Sequence, residues 1–119
     1  MESLLNFQTM VSDITGLPIS NASLLDEGTA AAEAMRMCYS HKNRKRHTFF
    51  IDENCHPQTI ACVQTRAEAF NINIKIGDAL TYDFEQHKDD LAGVLVQVRC
   101  CMKIAELVLL LFTRNYILI

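Results

Sequence analysis

Three short apolar runs most constrain what this chain can fold into, and segments with helical periodicity precede two of them. The runs are Thr48–Ile51, Ile72–Ile76 and Leu91–Val96. The first and third are apolar almost throughout, which is typical of strands buried on both faces, whereas isoleucines alternate with polar residues in the second. Helices that alternate with such strands indicate parallel pairing through helical crossovers. The sequence therefore predicts an α/β fold with a mostly parallel sheet and flanking helices.

Three segments carry the signals of helices. The first is amphipathic, because its apolar residues recur at 3-4-3 spacing, at Leu4, Phe7, Val11 and Ile14. Gly16 and Pro18 are suited to end it, and we expect this helix to pack on the sheet rather than to bind a partner. The second helix is predicted from about Thr29 to Tyr39. The third opens within Cys55–Thr59, where Pro57 takes a position at which a first-turn proline is tolerated.

Composition and charge exclude several classes of partner. A chain of 119 residues, half of them apolar, forms one domain or part of one. Its formal charge of −3 gives no reason to expect binding to nucleic acid or to an anionic membrane. The basic run His41–His47 is interpreted as a solvated turn, with contact to a phosphate or an acidic partner as the alternative. No membrane span or targeting peptide is recognised, so we expect a soluble chain.

Cysteine and histidine spacing predicts neither a metal site nor an evident catalytic pair. The five cysteines follow no disulfide or zinc pattern and favour a reducing compartment. Cys55-His56 can be interpreted as a nucleophile with its base, but adjacent residues rarely reach productive geometry. We favour His56 as part of a pocket wall, because a loop from a strand to a helix projects from the carboxyl edge of a sheet.

Asn21–Met35 is the most distinctive stretch, with the sequence NASLLDEGTAAAEAM. It joins a polar turn to an alanine-rich helix start. Together with IDENCHPQTIACVQTRA and the LAGVLVQ strand, in that order, it resembles the N-terminal half of the glycine cleavage system P-protein over residues 2–97. The resemblance implies part of the large domain of fold type I pyridoxal-phosphate enzymes. It also implies a function in glycine decarboxylation, with aminomethyl transfer to the lipoyl group of H-protein.

The resemblance further implies that this part of the family carries no catalytic residue. The Schiff-base lysine belongs to the C-terminal half, and no matching His-Lys motif surrounds Lys42, Lys45, Lys75, Lys88 or Lys103. Asp26 and Glu27 stand where a cofactor-bearing half presents free amides, so they are predicted to cap the helix and to repel a phosphate. Ser23, Thr29 and His56 are the candidates for a pocket wall. Pyridoxal phosphate serves the full-length family, and we expect none bound to this fragment, which should be inactive alone.

The partners implied by the resemblance are the C-terminal half of P-protein or another P-protein subunit, and H-protein for the complete enzyme. Eukaryotic members of the family are mitochondrial, which predicts that compartment even though this chain shows no recognisable transit peptide. The alternative interpretation is a non-catalytic interaction module that docks on the complementary half or on another subunit.

After Gln97 the sequence departs from the family pattern. The family continues with a Tyr-Pro segment, whereas this chain reads VRCCMKIAELVLLLFTRNYILI. Val98-Arg99 is also what an in-frame splice donor encodes. We therefore predict a P-protein-like α/β part, residues 1–97, and an unrelated apolar tail, residues 98–119, which we interpret as intron read-through. A real amphipathic element for a partner is the alternative.

Overall fold

The chain folds as helices and parallel strands that alternate along the sequence. The computed structural model describes residues 1–24, 26–41 and 43–97. Its elements are, in chain order, α1 (Glu2–Thr15), α2 (Glu27–His41), β1 (Thr48–Asp52), α3 (Pro57–Glu68), β2 (Asn73–Gly77) and β3 (Leu91–Leu95). The predicted α/β class is confirmed. The predicted tail, residues 98–119, lies outside the described residues.

The sheet places β1 at its centre, in the order β2-β1-β3, and both pairings are parallel. Thr48 of β1 pairs with Asn73 of β2 and with Leu91 of β3. Every residue of β3 is buried, as are the four residues of β1 after Thr48, whereas no residue of β2 is buried. This pattern follows from the apolar runs, because a strand covered on both faces needs apolar side chains on both.

The two faces of β1 pack against different layers. Phe49 and Ile51 point into a core shared with α2 and α3. Phe50 points to the opposite face, where Tyr82 and Phe84 from the segment between β2 and β3 pack on its ring. Most residues from Tyr82 to Asp90 are polar, which by itself is typical of a solvated loop. The structure shows that the aromatic residues of this loop cover the second face of the sheet.

Helix α1 differs most from expectation. The predicted helix is present and ends at Gly16, whose backbone has φ 70° and whose N–H donates to the carbonyl of Ser12. However, no residue of α1 is buried, so the predicted packing of this helix on the sheet is wrong. Amphipathic periodicity indicates only that a face needs a partner, and within the described residues the sheet does not supply it. None of the described helices is long and apolar enough to cross a membrane.

The basic run between α2 and β1 forms the predicted turn. Asn43 and Arg44 have positive φ, and Arg44 and Lys45 are exposed. Arg46 instead reaches back to the sheet, where its Nη1 donates to the carbonyl of Leu91 over 3.2 Å. Lys42 lies outside the described residues. The charges therefore border the amino edge of the sheet, where β1 begins.

Candidate functional site

The candidate site lies at the carboxyl edge of the sheet, where the first turns of α2 and α3 meet. Gly28 in the first turn of α2 is buried against α3: a Cβ at this position would lie 3.3 Å from the Cβ of Cys62 and 3.8 Å from the Cα of Thr59. Helix α3 begins just after β1 ends. Because α/β proteins bind ligands outside the carboxyl ends of their strands, this edge is where a pocket is expected.

The start of α2 is occupied by its own side chain. Oδ1 of Asp26 accepts a hydrogen bond of 2.9 Å from the backbone N–H of Thr29, and the Asp26 carbonyl accepts from Ala30 at 3.0 Å. The side chain of Thr29, followed by its backbone amide, holds the pKa of Asp26 below its ordinary value. Glu27 adds a second acidic side chain in the first turn. An amide that Asp26 engages is not available to an incoming phosphate.

Ser23 stays within its own loop. Its N–H donates to Oδ1 of Asn21 at 3.0 Å and its hydroxyl donates to the carbonyl of Leu24 at 3.0 Å. Its backbone has φ 131°, in a region that favours glycine, and the side chain is exposed. Thr29 and His56 belong to helix starts that lie at the same edge, whereas the hydrogen bonds of Ser23 do not extend to either helix. The pocket-wall role of all three residues stays a prediction.

The start of α3 has no side-chain cap. His56 is the N-cap residue, and its backbone N–H donates to Oε1 of Gln97 over 2.5 Å, which ties the helix to the end of β3. Nδ1 of His56 and Oγ1 of Thr59 are buried, and neither has a hydrogen-bond partner in the structure. A buried polar group left unsatisfied costs about 1–3 kcal/mol. The edge therefore retains unused hydrogen-bonding capacity at α3, but not at the capped amide of α2.

The contact recorded for the thiol of Cys55 is to a backbone carbonyl and not to Nδ1 of His56. The Sγ of Cys55 is buried and lies 3.8 Å from the carbonyl oxygen of Leu95. Nδ1 of His56 has no partner, so it does not accept the proton of this thiol. A nucleophile needs access to substrate, and the burial of Cys55 withholds it.

Asp52, the last residue of β1, is a buried acid at the same edge of the sheet. It is 4% exposed, and its Oδ1 accepts from Asn54 Nδ2 at 3.3 Å and from the backbone N–H of Ala79 at 3.5 Å. These bonds join the loop after β1 to the loop after β2. The signal that could have identified it is an acid directly after a buried strand. No group of three or more metal-ligating side chains occurs among residues 1–24, 26–41 and 43–97.

None of the described lysines belongs to the first turns of α2 and α3. Lys75 lies in β2, with its Nζ 5.0 Å from the centre of the Tyr82 ring, on the face of the sheet that the aromatic loop covers. Lys45 is exposed in the turn before β1, at the amino edge. The candidate site is thus built from two helix starts, a capping carboxylate and unpaired polar atoms, without a described amine in its first turns.

Comparison with known families gives a match along most of the chain. The family model described as glycine cleavage system P-protein matches residues 1–107. The match continues past Gln97, and the domain boundary at that residue stays a prediction. A glycine dehydrogenase (decarboxylating) of Jannaschia sp. (strain CCS1) is 56% identical over 100 residues, which are 84% of this chain and 10% of that protein. The mitochondrial enzyme of Pisum sativum is 58% identical over 97 residues, 82% of this chain and 9% of that protein.

The fold also matches a solved structure. A crystal structure of glycine decarboxylase (P-protein) of the glycine cleavage system, in inhibitor-bound form, superposes with a TM-score of 0.70 at 23% identity. The match covers 81% of this chain and 22% of the solved one. This chain spans about a tenth of the length of the curated relatives. With the family model covering residues 1–107, the chain belongs to the P-protein family of the glycine cleavage system.

Proposed function

We propose that this chain is a structural part of the N-terminal half of a glycine decarboxylase, the P-protein of the glycine cleavage system. The observation that carries the proposal is the identity of 56–58% to glycine dehydrogenases (decarboxylating) over 97–100 residues. In the complete enzyme the reaction releases CO2 from glycine and passes the aminomethyl group to the lipoyl group of H-protein. This chain contributes part of a parallel sheet and the helices that cover it, rather than the chemistry.

The residues present do not fit the pyridoxal phosphate that the family uses. Asp26 engages the N–H of Thr29, and a carboxylate at a helix start repels the phosphate that such a site receives. The described lysines lie on the aromatic-covered face, in the turn before β1 and in the loop that precedes β3. We therefore assign no step of the reaction to this chain, and we propose that it binds no cofactor by itself.

The partners follow from the same proposal. They are the C-terminal half of P-protein or a second P-protein subunit, and H-protein for the assembled enzyme. Relatives from Flaveria pringlei, Pisum sativum and Solanum tuberosum are mitochondrial by name, and we propose the same compartment for this chain if its source is eukaryotic. The bacterial relative from Jannaschia is equally similar, so the sequence identity alone does not distinguish the two sources.

A hybrid enzyme tests the proposed function. The matched 97 residues of the Pisum sativum enzyme are replaced by the corresponding residues of this chain, and glycine decarboxylation is measured with H-protein present. We expect activity close to that of the parent enzyme, because the replaced part is 58% identical to it. A hybrid that folds and binds pyridoxal phosphate but releases no CO2 from glycine contradicts the proposal.

The isolated chain provides the complementary measurement. Mixed with pyridoxal phosphate, the 119-residue chain should develop no visible absorbance band of a lysine-bound cofactor. The control for repulsion of the cofactor phosphate at the start of α2 is the double variant Asp26→Ser, Glu27→Gly. It removes both acids and retains a hydroxyl that can cap the helix. A lysine-bound band in the unmodified chain contradicts the assignment of a purely structural role.

A second candidate function, a docking module, is favoured by one specific observation. Most of the exposed large apolar side chains in the described part of the chain precede Asp26, in α1 and in the loop after it. Such a patch is unusual on a protein that works as a monomer. It is compatible with the structural role, since a piece of a larger enzyme must join the rest of it.

A further inference from the structure

One face of α1 carries a row of apolar side chains that no described part of the chain covers. The row, called here the α1 stripe, consists of Leu4, Phe7, Met10, Val11 and Ile14. Their spacing places them along one side of the helix. Leu4 is 51% exposed and Ile14 is 77% exposed, and no residue of the helix is buried. An amphipathic helix gains most of its stability from burial of such a face, so the stripe indicates a missing surface.

The contacts that hold α1 are local. Nε2 of Gln8 donates to the carbonyl of Ser20 over 2.9 Å, on the side of the helix that faces the loop after it. The apolar surface continues beyond the helix, because Leu17, Ile19 and Leu24 are also exposed. Exposed apolar side chains thus recur from α1 to Leu24, in the segment that precedes α2.

We propose that the α1 stripe docks on the remaining part of a P-protein polypeptide. This inference rests on the proposed function. The curated relatives match this chain over only 9–10% of their length, so about nine-tenths of the family's polypeptide lies outside the matched stretch. The matched family model includes α1, which makes the stripe part of the family's own segment. We therefore expect the stripe to bind to the part of the same polypeptide that lies outside the matched stretch.

The charged side chains of α1 do not belong to the stripe. They are Glu2 and Asp13, and the helical period places both on the side of the helix that faces away from it. The stripe is therefore uncharged, and we expect the surface on which it docks to be apolar.

The hybrid enzyme described above tests the docking surface with a matched pair of variants. Leu4→Asp places a carboxylate on the stripe, and Leu80→Asp places one on a leucine that lies outside it and has almost the same exposure, 53% against 51%. Aspartate in a first helical turn favours the helix, so Leu4→Asp does not break α1 itself. Both variants are made in the isolated 119-residue chain and in the hybrid, and the melting temperature of each is measured.

We expect neither variant to lower the melting temperature of the isolated chain, because both leucines are half exposed there. In the hybrid, only Leu4→Asp should lower it, by several degrees or more. Ile14→Lys, at the other end of the stripe, should reproduce the effect, since lysine is favourable in a last turn. Equal melting temperatures for the Leu4 and Leu80 variants of an active hybrid overturn the docking proposal and leave the proposed function intact. An inactive hybrid contradicts the proposed function instead.

The other occupant gives a different result. If the isolated chain forms a dimer in light scattering and Leu4→Asp dissociates it while Leu80→Asp does not, the stripe binds a second copy. That outcome also overturns the proposal. The proposal is supported if the isolated chain is monomeric and Leu4→Asp lowers the melting temperature of the hybrid.

Discussion

Gly93→Ala is the substitution to which the structure assigns the sharpest stability cost. Gly93 lies in β3, and a Cβ there would stand 2.8 Å from Sγ of Cys38 and 2.9 Å from Cε2 of Phe49. Both neighbours are wholly buried. Favourable contacts between carbon atoms lie at about 3.5–4.0 Å, so the added methyl displaces two packed side chains. Overpacking of this kind costs about 3 kcal/mol, and the loss of unfolded-state freedom offsets about 0.5–1 kcal/mol of it. The net destabilisation is about 2 kcal/mol.

Urea denaturation followed by circular dichroism measures this cost. For a slope of about 1–2 kcal/mol per molar urea, the midpoint should fall by about 1 M or more. Gly77→Ala is the matched control in β2, because its nearest neighbours are ring atoms of Phe50 at 3.6 and 3.8 Å, an ordinary contact distance. Its midpoint should not fall. If both variants denature at the same urea concentration, the packing of α2 against β3 at Gly93 is looser than described and the reasoning is refuted.

Three further predictions concern polar groups. Asp26→Ala should lower the free energy of unfolding because the α2 cap is lost. Asp26→Asn should retain the cap but remove the contribution of this carboxylate to the pH dependence of the free energy of unfolding. The folded pKa of Asp26 is depressed, so its stabilisation is present above the ordinary value and lost as pH falls through the folded value. Thr48 and His47 likewise lower the pKa of Asp90, so an acid titration of stability should be flatter in Asp90→Asn. Thr59→Val should lower the free energy of unfolding by less than about 1 kcal/mol, or raise it, because Oγ1 of Thr59 has no partner to lose. A larger decrease of the free energy of unfolding, measured by thermal denaturation, indicates a group bound to this hydroxyl.

The strands show how far sequence patterning reaches. The runs that begin at Thr48 and Leu91 are apolar enough to require cover on both faces, and the structure buries both strands accordingly. The same patterning missed the loop that precedes β3. Its aromatic residues Tyr82 and Phe84 are separated by a single acid, and this one repeat of the strand period is too short to predict a strand. Only their contacts with Phe50 reveal that this segment is part of the core.

At the candidate site, sequence reasoning located the elements better than the individual atoms. Acids before an alanine-rich helix predict caps, and the structure shows the Asp26 carboxylate on the Thr29 amide. The burial of Thr59 and the contact of Gln97 with the N–H of His56 have no signal in a single sequence. The first depends on how closely α2 packs on α3 at Gly28, and the second on where β3 ends relative to α3. The roles of Ser23, Thr29 and His56 in a pocket stay predictions for the same reason.

The sequence by itself determined the alternation of helices and strands, their parallel pairing and the family, because period, helix-ending residues and motifs are local properties of the chain. Only the tertiary structure decided which apolar faces are covered. Phe50 and the α1 stripe are both apolar surfaces by sequence, yet the first is buried under an aromatic loop and the second is exposed. The physical reason is that a hydrophobic pattern specifies the need for burial but not the surface that provides it. For α1, that surface is proposed to belong to the rest of the enzyme.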